Sequence, residues 1–188
     1  MKVLVEGRLV RNGAEIVDAS STVTLICSSG RSVIADTGSP EDIAQLLEAL
    51  HNEDLRPTDI DFVVNTHLHL DHVGGNGLFT NSKFYAHTLE LPPIGVLKVS
   101  SETEILPGVV LLPTPGHTAG SISVLVRADR RYAICGDAIP TRANFEGHVP
   151  PLININPALA QKSMDAIGAS ADVIIPGHEA PFDVGGKR

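Results

Sequence analysis

Four side chains that can bind metal ions lie within one six-residue segment of the chain. They are His67, His69, Asp71 and His72. In an extended segment, side chains two residues apart point to the same side, so His67 and His69 can converge on one ion. If the chain turns into a helix immediately afterwards, Asp71 and His72 can be directed towards a neighbouring point. This segment alone therefore offers four ligands.

Three later residues of the same chemical kind each follow a glycine and each lie at the end of a predicted strand. A glycine before a ligand permits an unusual backbone turn and close packing, as a ligand loop requires. Burying several unpaired imidazoles and carboxylates together would be costly without a metal ion. The predicted metal ligands are therefore His67, His69, Asp71, His72, His117, Asp137 and His178.

The remaining histidines are interpreted as structural residues. His51 closes a predicted amphipathic helix, where a cation suits the negative end of the helix dipole, and no function is assigned to it. His87 lies at a predicted strand end and His148 in a predicted loop, where a hydrogen-bonded polar residue is the commoner case. For these two residues, lining the substrate pocket is an alternative that stays open.

The two cysteines are expected to be small buried residues rather than a disulfide, because both lie in apolar, strand-like stretches. They are Cys27 and Cys135, and Cys135 is interpreted as a core residue rather than a metal ligand. A reducing cytoplasm is the expected compartment. Glu6 and Arg8 interrupt the N-terminal apolar run before a signal peptide could form.

The elements that must position these residues are predicted from hydrophobic periodicity. Short apolar or alternating runs bounded by turn residues indicate strands. We expect strands at residues 3–5, 21–27, 32–36, 62–64, 83–86, 109–112, 122–126, 132–135 and 173–175. The middle of the chain is therefore expected to be mostly β structure, with the ligands near the ends of strands.

Two helices are also predicted. The first begins at Ser39, with Pro40 in its first turn. Its buried face is expected to consist of Ile43, Leu46, Leu47 and Leu50. The second spans about residues 156–168, and its inner face is expected to consist of Leu159, Ala160, Met164 and Ile167. Residues 140–156 carry three prolines and no clear period, which predicts a loop over one end of the domain.

The ordered set of motifs resembles the metallo-β-lactamase superfamily. The pattern H-x-H-x-D-H occupies residues 67–72, and it is followed by His117, Asp137 and His178. Residues 34–38 are similar to that family's early aspartate motif, and the resemblance covers nearly the whole chain. It implies a fold of the α/β (α+β) class, a four-layer αββα sandwich with the site at one edge between two sheets.

Carried over residue by residue, the resemblance implies a dinuclear metal site. The implied ligands are His67, His69 and His117 for one ion, and Asp71, His72 and His178 for the second, with Asp137 bridging the two. The resemblance also implies that Asp36 orients a ligand loop. The residues alone fit equally well an aspartate that caps a turn before Thr-Gly, so both interpretations stay open.

Two divalent cations held in this way would support hydrolysis. Two metal ions about 3.5 to 4 Å apart can share a hydroxide, whose parent water has its pKa lowered towards roughly 7. That hydroxide would attack a carbonyl or phosphoryl centre, with Asp71 orienting it and accepting its proton. The sequence therefore predicts an enzyme, a metallo-hydrolase that cleaves an ester, thioester, lactone or phosphodiester bond. Nitrogen and oxygen ligands favour zinc and leave iron or manganese open.

Two other functions stay open at this point. A single iron ion in the first site would allow a persulfide dioxygenase, and a metal-stabilised module without turnover would only bind or regulate. Two residues argue against particular branches of the superfamily. Asp137, where zinc β-lactamases often have cysteine, points away from antibiotic hydrolysis, and His69, where flavodiiron proteins have glutamate, argues against that redox branch.

Composition limits the partners. Residues 71–79 and 171–182 resemble a branch of the superfamily associated with RNA cleavage, but a net charge of -8 and 4% aromatic residues leave a nucleic-acid substrate unsupported. We expect a small-molecule substrate, with specificity from residues 140–156 and from neighbours such as His87 and Phe145.

No apolar run approaches the roughly 18 residues of a membrane span. The length of 188 residues fits one domain over residues 1–188, and a homodimer stays open.

Overall fold

Short strands and helices alternate along the chain. The computed structural model describes residues 1–13 and 15–185. Within these ranges the strands are β1 (Lys2–Val5), β2 (Arg8–Asn12), β3 (Glu15–Ser20), β4 (Val23–Ser28), β5 (Arg31–Ala35), β6 (Phe62–Val64), β7 (Lys83–His87), β8 (Leu97–Val99), β9 (Thr103–Leu106), β10 (Val109–Pro113), β11 (Ile122–Arg127), β12 (Arg131–Ile134), β13 (Val173–Ile175) and β14 (Phe182–Asp183). The helices in the same ranges are α1 (Ile43–His51), α2 (Leu70–Val73), α3 (Arg142–Glu146) and α4 (Pro157–Ser170).

Two six-stranded sheets and one separate hairpin contain these strands. The first sheet has the order β1-β4-β5-β6-β7-β8, and its strands are parallel from β5 to β8. The second has the order β14-β13-β12-β11-β10-β9, and β12 and β13 form its parallel pair. The hairpin pairs β2 with β3. Parallel neighbours place the ends of their strands at the same edge of a sheet, which determines where the following loops can meet.

The sheets pack face to face, and alternation along each strand fills three apolar layers. In β5, Val33 and Ala35 belong to the core between the sheets, whereas Ile34 points to the other face and contacts the cluster that includes Leu46 and Leu50 of α1. In the second sheet, Ile174 of β13 packs in the cluster that includes α4. A helix therefore covers the outer face of each sheet. The predicted four-layer αββα sandwich is confirmed.

The helices bury narrower faces than the sequence predicts. In α1, Leu46 and Leu50 are buried, but Leu47 is 39% exposed, so its place on the buried face was wrong. In α4, Leu159 is 38% exposed, and the inner face consists of Ala160, Ser163, Met164 and Ile167. One residue corresponds to about 100° of rotation around a helix, so Leu47 and Leu159 lie at the edge of the apolar stripe rather than on it.

Several elements differ from the sequence-based expectation. The predicted strands are found within two residues of their expected ends, but the β2–β3 hairpin and the strands β8, β9 and β14 were not predicted. Residues 140–156 are not entirely a loop, because they contain α3. Cys135 is buried as expected, whereas Cys27 is exposed, because it lies near the end of β4 where the strand leaves the core. Both cysteines are free thiols.

Among the described residues, the helices are too short or too polar to cross a lipid bilayer. The longest of them, α4, has 14 residues, whereas a membrane span needs about 20 apolar residues.

The difference between the two faces of α1 can be tested by stability measurements. Leu50→Ala removes a fully buried side chain from the cluster under the first sheet, so it should lower the free energy of unfolding by about 2–5 kcal/mol. Leu47→Ala, on the exposed side of the same helix, should change it by less than about 1 kcal/mol. Denaturant titration followed by circular dichroism gives both values. Equal losses in the two variants would contradict the assigned faces.

Candidate metal centre

The predicted ligands follow strands that end at one edge of the sandwich. The segment with His67 and His72 follows β6, His117 follows β10, Asp137 follows β12 and His178 follows β13. β12 and β13 are parallel, and β10 runs in the same direction as β12 because β11 is antiparallel to both. The carboxyl ends of these strands are therefore at one edge, and the loops that carry the ligands meet there.

Three histidines form the first group of donors. His67 Nε2 lies 3.0 Å from His69 Nδ1, and His117 Nε2 lies 3.2 Å and 3.0 Å from these two atoms. Four ligands at a metal–nitrogen distance of about 2.0–2.1 Å, arranged tetrahedrally, would place their atoms roughly 3.3 Å apart. The separations between the three imidazole nitrogens are thus close to those around a tetrahedrally bound cation.

The second group contains Asp71, His72 and His178. Asp71 Oδ2 lies 3.8 Å from the Nε2 atoms of both histidines. Asp137 lies between the two groups, because its Oδ2 is 3.4 Å from His117 Nε2 while its Oδ1 is 3.4 Å from His72 Nε2 and 2.9 Å from His178 Nε2. The structure therefore brings all seven predicted residues together.

Hydrogen bonds on the far side of the rings direct the lone pairs of three histidines into the site. His117 Nδ1 donates to the carbonyl oxygen of Ile153 at 2.7 Å, and His178 Nδ1 donates to that of Ser20 at 2.9 Å. His72 Nδ1 lies 2.8 Å from the carboxylate of Asp36. In a neutral imidazole whose Nδ1 carries the proton, Nε2 has a free lone pair. The Nε2 atoms of these three rings are therefore available as ligands.

Two buried atoms in the site have no hydrogen-bond partner among the described residues. They are His72 Nε2 and Asp137 Oδ1. His178 Nε2 lies 2.9 Å from Asp137 Oδ1, but in the neutral ring, which binds metal, Nε2 has no proton to donate to the carboxylate. Buried polar atoms without partners are costly. A cation at this point would satisfy both atoms, so the donor set fits a divalent metal ion.

The electrostatics at His67, His69 and Asp137 favour the protonation states that a cation requires. At His178, burial would lower the pKa, but Asp137 outweighs it and raises that pKa. Burial lowers the pKa of His67 well below its usual value, and the neighbouring His72 lowers it further. Burial also lowers the pKa of His69. For Asp137, burial would raise the pKa, but His178 and His72 outweigh it and hold that pKa well below the usual range. Two neutral imidazoles and an ionised carboxylate are the forms that bind metals.

Asp36 acts on the loop that carries the histidine segment. Its buried carboxylate accepts hydrogen bonds from Thr66 N at 2.8 Å and Thr66 Oγ1 at 2.7 Å, as well as contacting His72 Nδ1. The backbone of Asp36 is left-handed, with a φ of 54°, which is uncommon for a residue other than glycine. Burial would lower the pKa of His72, but Asp36 and Asp137 outweigh it and raise that pKa. Of the two interpretations left open, orientation of a ligand loop matches these contacts.

All three glycines that precede the later ligands leave no space for a side chain, since a Cβ atom on Gly116 would lie 2.3 Å from Ala160 Cα. A Cβ atom on Gly177 would lie 2.5 Å from Asp137 Oδ1, and one on Gly136 would lie 2.3 Å from Thr66 Oγ1. Gly136 also has a φ of 47°, which L-residues with a side chain rarely adopt. The close packing expected of these ligand loops is confirmed at all three positions.

A cavity of about 290 Å³ opens onto the metal-binding residues. The residues of the site that line it are His69, Asp71, His117, Asp137 and His178. Its walls come from the β2–β3 hairpin, through Leu9, Arg11, Ile16 and Ala19, and from Pro140, Pro151, Leu152 and Ile153. Residues 140–156 thus contribute to the walls of the cavity, as predicted. The hairpin was missed, although Asn12-Gly13 is a strong hairpin signal.

The other candidate pocket residues lie elsewhere. Phe145 packs on Phe182 in the core beside α4, with ring centroids 5.6 Å apart, so its expected role in specificity is not supported by its position. His148 contacts Asp165 at 2.7 Å on the surface. His87 accepts a hydrogen bond from Leu89 N, where it caps a short 3-10 turn. None of these three lines the cavity described above.

Comparison with known proteins relates this site to a family. The chain matches the profile of the metallo-beta-lactamase superfamily over residues 17–91 and 88–178. A Methanocaldococcus jannaschii protein named probable metallo-hydrolase is 37% identical over 95% of this chain and 86% of its own length. Metallo-beta-lactamase domain-containing protein 1 of Xenopus laevis is 33% identical over 97% and 80%. An N-acyl homoserine lactonase of Bacillus thuringiensis is 28% identical over 78% and 76%.

The fold agrees with these sequence matches. A crystal structure from Thermotoga maritima, described as that of a candidate metallo-beta-lactamase, superposes with a TM-score of 0.79 and 25% sequence identity. It covers 97% of this chain and 97% of its own. The Xenopus relative represents the branch that residues 71–79 and 171–182 resemble. The profile match, the two relatives above 30% identity and the shared fold show that the chain belongs to the metallo-β-lactamase superfamily.

Proposed function

We propose that the protein is a dinuclear metal hydrolase that cleaves an ester, thioester or lactone bond in a small molecule with an apolar group. The observation that carries the proposal is the arrangement around Asp137, whose two oxygens face two different groups of donors. One group is His67, His69 and His117, and the other is Asp71, His72 and His178. Asp137 would then be a ligand that two cations share. Relatives that are metallo-hydrolases support the reaction class.

Zinc is the cation that these donors favour. All of them are imidazole nitrogens or carboxylate oxygens, and zinc accepts both at tetrahedral sites. Iron and manganese accept the same donors and are distinguished from zinc by metal analysis. Two such cations, when bound, act as Lewis acids that activate a water molecule and polarise the oxygen of the bond to be cleaved.

Asp71 is the proton acceptor in this proposal. Its Oδ2 faces His72 and His178, and its side chain is 26% exposed towards the cavity. Oδ1 is then left to orient the attacking water and to accept its proton. His69 and His117 also line the cavity, so a substrate in the cavity lies beside both groups of donors.

The walls of the cavity favour a small substrate with an apolar group over a polyanion. Leu9, Ile16 and Leu152 line it, and Arg11 is the cationic side chain in the lining. Binding of a phosphate chain depends on several cationic contacts, whereas an apolar group gains free energy by leaving water for such walls. The lactonase relative points to the same class, because N-acyl homoserine lactones are small molecules with an ester bond.

The first test is metal content together with loss of the bridging carboxylate. The purified protein should hold two divalent ions per chain. Asp137→Ala should lose at least one of them and lower kcat/KM at least about 100-fold, because both donor groups lose a shared ligand. Elemental analysis and hydrolysis of ester, thioester and lactone substrates measure the two effects. Asp165→Ala, which removes a surface carboxylate, is the matched control.

Other results would support the alternative functions. One iron ion per chain with thiol-dependent oxygen uptake would replace the hydrolase by a persulfide dioxygenase. Two bound ions without cleavage of any substrate in the panel, phosphodiesters included, would indicate a metal-binding module without turnover.

The role of Asp71 can be separated from metal binding by an isosteric change. Asp71→Asn keeps an oxygen for a cation but removes the proton acceptor. It should lower kcat by about 10²–10⁴-fold while the metal content stays near that of the unmodified protein. Steady-state kinetics and elemental analysis of the same samples give both numbers. An unchanged kcat would remove Asp71 from the proton transfer.

The apolar wall is tested with a series of substrates that differ in chain length. Ile16→Ala should raise KM about threefold to tenfold for substrates with a long apolar group and little for short ones, because a wall contact is lost. Val17→Ala is the control, since Val17 is 55% exposed and does not line the cavity. Equal effects of the two substitutions would mean that the hairpin does not contact the substrate.

A further inference from the structure

We propose that Glu90 is a positioning residue that joins the two loops presenting the three-histidine donor group. The inference rests on the proposed function, because it concerns the cation that His67, His69 and His117 would hold. Glu90 lies in the 3-10 turn Thr88–Glu90 that follows β7. It belongs to none of the donor groups that the described residues form, so its effect is exerted through its neighbours.

Three hydrogen bonds connect Glu90 to the two loops. Its Oε2 accepts from Leu68 N at 3.0 Å, and Leu68 stands between the ligands His67 and His69 in the chain. Its Oε1 accepts from Thr118 Oγ1 at 2.5 Å, directly after the ligand His117, and from Gly120 N at 3.1 Å. One carboxylate therefore contacts both segments that supply the first donor group.

One backbone hydrogen bond also joins these two loops. Ile122 N donates to the carbonyl oxygen of Thr66 at 2.8 Å, which joins the beginning of one loop to the end of the other. Glu90 instead contacts Leu68, which lies between His67 and His69, and Thr118, which directly follows His117. The distance between His117 Nε2 and the nitrogens of His67 and His69 depends on the relative position of these two segments. Fixing that position before a cation binds reduces the entropy lost on binding.

A carboxylate is needed at position 90 because both of its oxygens must accept. Leu68 N and Gly120 N are backbone donors that approach opposite oxygens. Glutamine has the same shape but only one accepting oxygen, so its amide group would face one of the two N–H groups. Glu90→Gln therefore leaves one backbone donor unpaired without creating a cavity. The site is closely packed, since a Cβ on Gly120 would lie 2.7 Å from Glu90 Oε1.

The second donor group is held by different contacts. Asp36 orients His72, and the carbonyl oxygen of Ser20 orients His178. Leu68 lies in the same segment as His72, but Glu90 accepts no hydrogen bond from Asp71, His72 or His178 themselves, nor from the groups that orient the two histidines. Loss of the Glu90 carboxylate should consequently weaken one of the two cation sites selectively. A purely structural contribution to folding would weaken both.

The test measures the release of zinc from the zinc-loaded protein to a chromogenic chelator. The unmodified protein should release two zinc ions per chain. In Glu90→Gln, one ion should leave about 10- to 100-fold faster, as is usual when a group that orients a ligand is lost, while the other keeps its original rate. Glu104→Gln is the matched control, because Glu104 also accepts a backbone N–H, from Gly108, at an exposed position of β9, the edge strand of the second sheet. Replacing zinc by cobalt gives an absorption spectrum that reports the geometry of the weakened site.

A second variant covers the case in which Glu90→Gln does not fold. Thr118→Val replaces by a methyl group the hydroxyl that donates to Glu90 and also contacts Ser121 Oγ, and it should accelerate the release of the same ion to a smaller extent. Equal acceleration of both ions, or unchanged release in both variants, would overturn the inference while leaving the dinuclear hydrolase intact. If the unmodified protein takes up no metal, the proposed function fails and the inference fails with it.

Discussion

The metal-binding edge of the structure depends on one constraint, which is that the lone pairs of buried imidazole nitrogens and a carboxylate oxygen lie close together. The nitrogens of His67, His69 and His117 lie 3.0–3.2 Å apart, and a buried oxygen of Asp137 has no hydrogen-bond donor. Without a positive charge among them these groups repel, and their burial has removed the water that would have compensated. The carbonyl oxygen of Ile153 holds the ring of His117, while Asp36 and the carbonyl oxygen of Ser20 hold those of His72 and His178 beside Asp137. The proposed pair of cations supplies the missing attraction.

The sandwich supports this costly arrangement because different parts of it stabilise the fold and carry the ligands. Interlocked apolar side chains between the sheets, such as Val33 and Ile175, fix the strands. The ligands themselves are carried by loops at the ends of those strands, where the backbone can turn sharply, as at Gly136. Because several strand ends lie at one edge, residues more than one hundred positions apart, such as His67 and His178, come together. A rigid core is thereby combined with an adaptable edge.

The sequence contains much of the site but less of its surroundings. His67 to His72 lie in one segment, and His117, Asp137 and His178 each follow a glycine, so the donors can be recognised from residue type and spacing. The resemblance to a known superfamily then supplied the layer order of the fold. The hydrogen bonds of Glu90 were not predictable, because its partners Leu68 and Thr118 are 22 and 28 residues away and no periodicity relates them.

Leu47 and Leu159 were misplaced because apolar character alone does not define the edge of a buried stripe. Phe145 was misplaced because a short helix of five residues has too few turns to show a period.

The hydrogen bond from His117 to Ile153 connects a metal-binding imidazole to the main chain of a segment that lines the substrate cavity. The accepting group is the carbonyl oxygen of Ile153, whereas the side chains of Leu152 and Ile153 line the cavity. Natural variation or laboratory evolution can therefore exchange these side chains to admit different substrates without removing the support of the imidazole. Insertions, deletions or prolines that redirect the backbone at this point would tilt the ring and disturb its ligand geometry. The segment is thus permissive to changes of side chain and intolerant of changes in loop length.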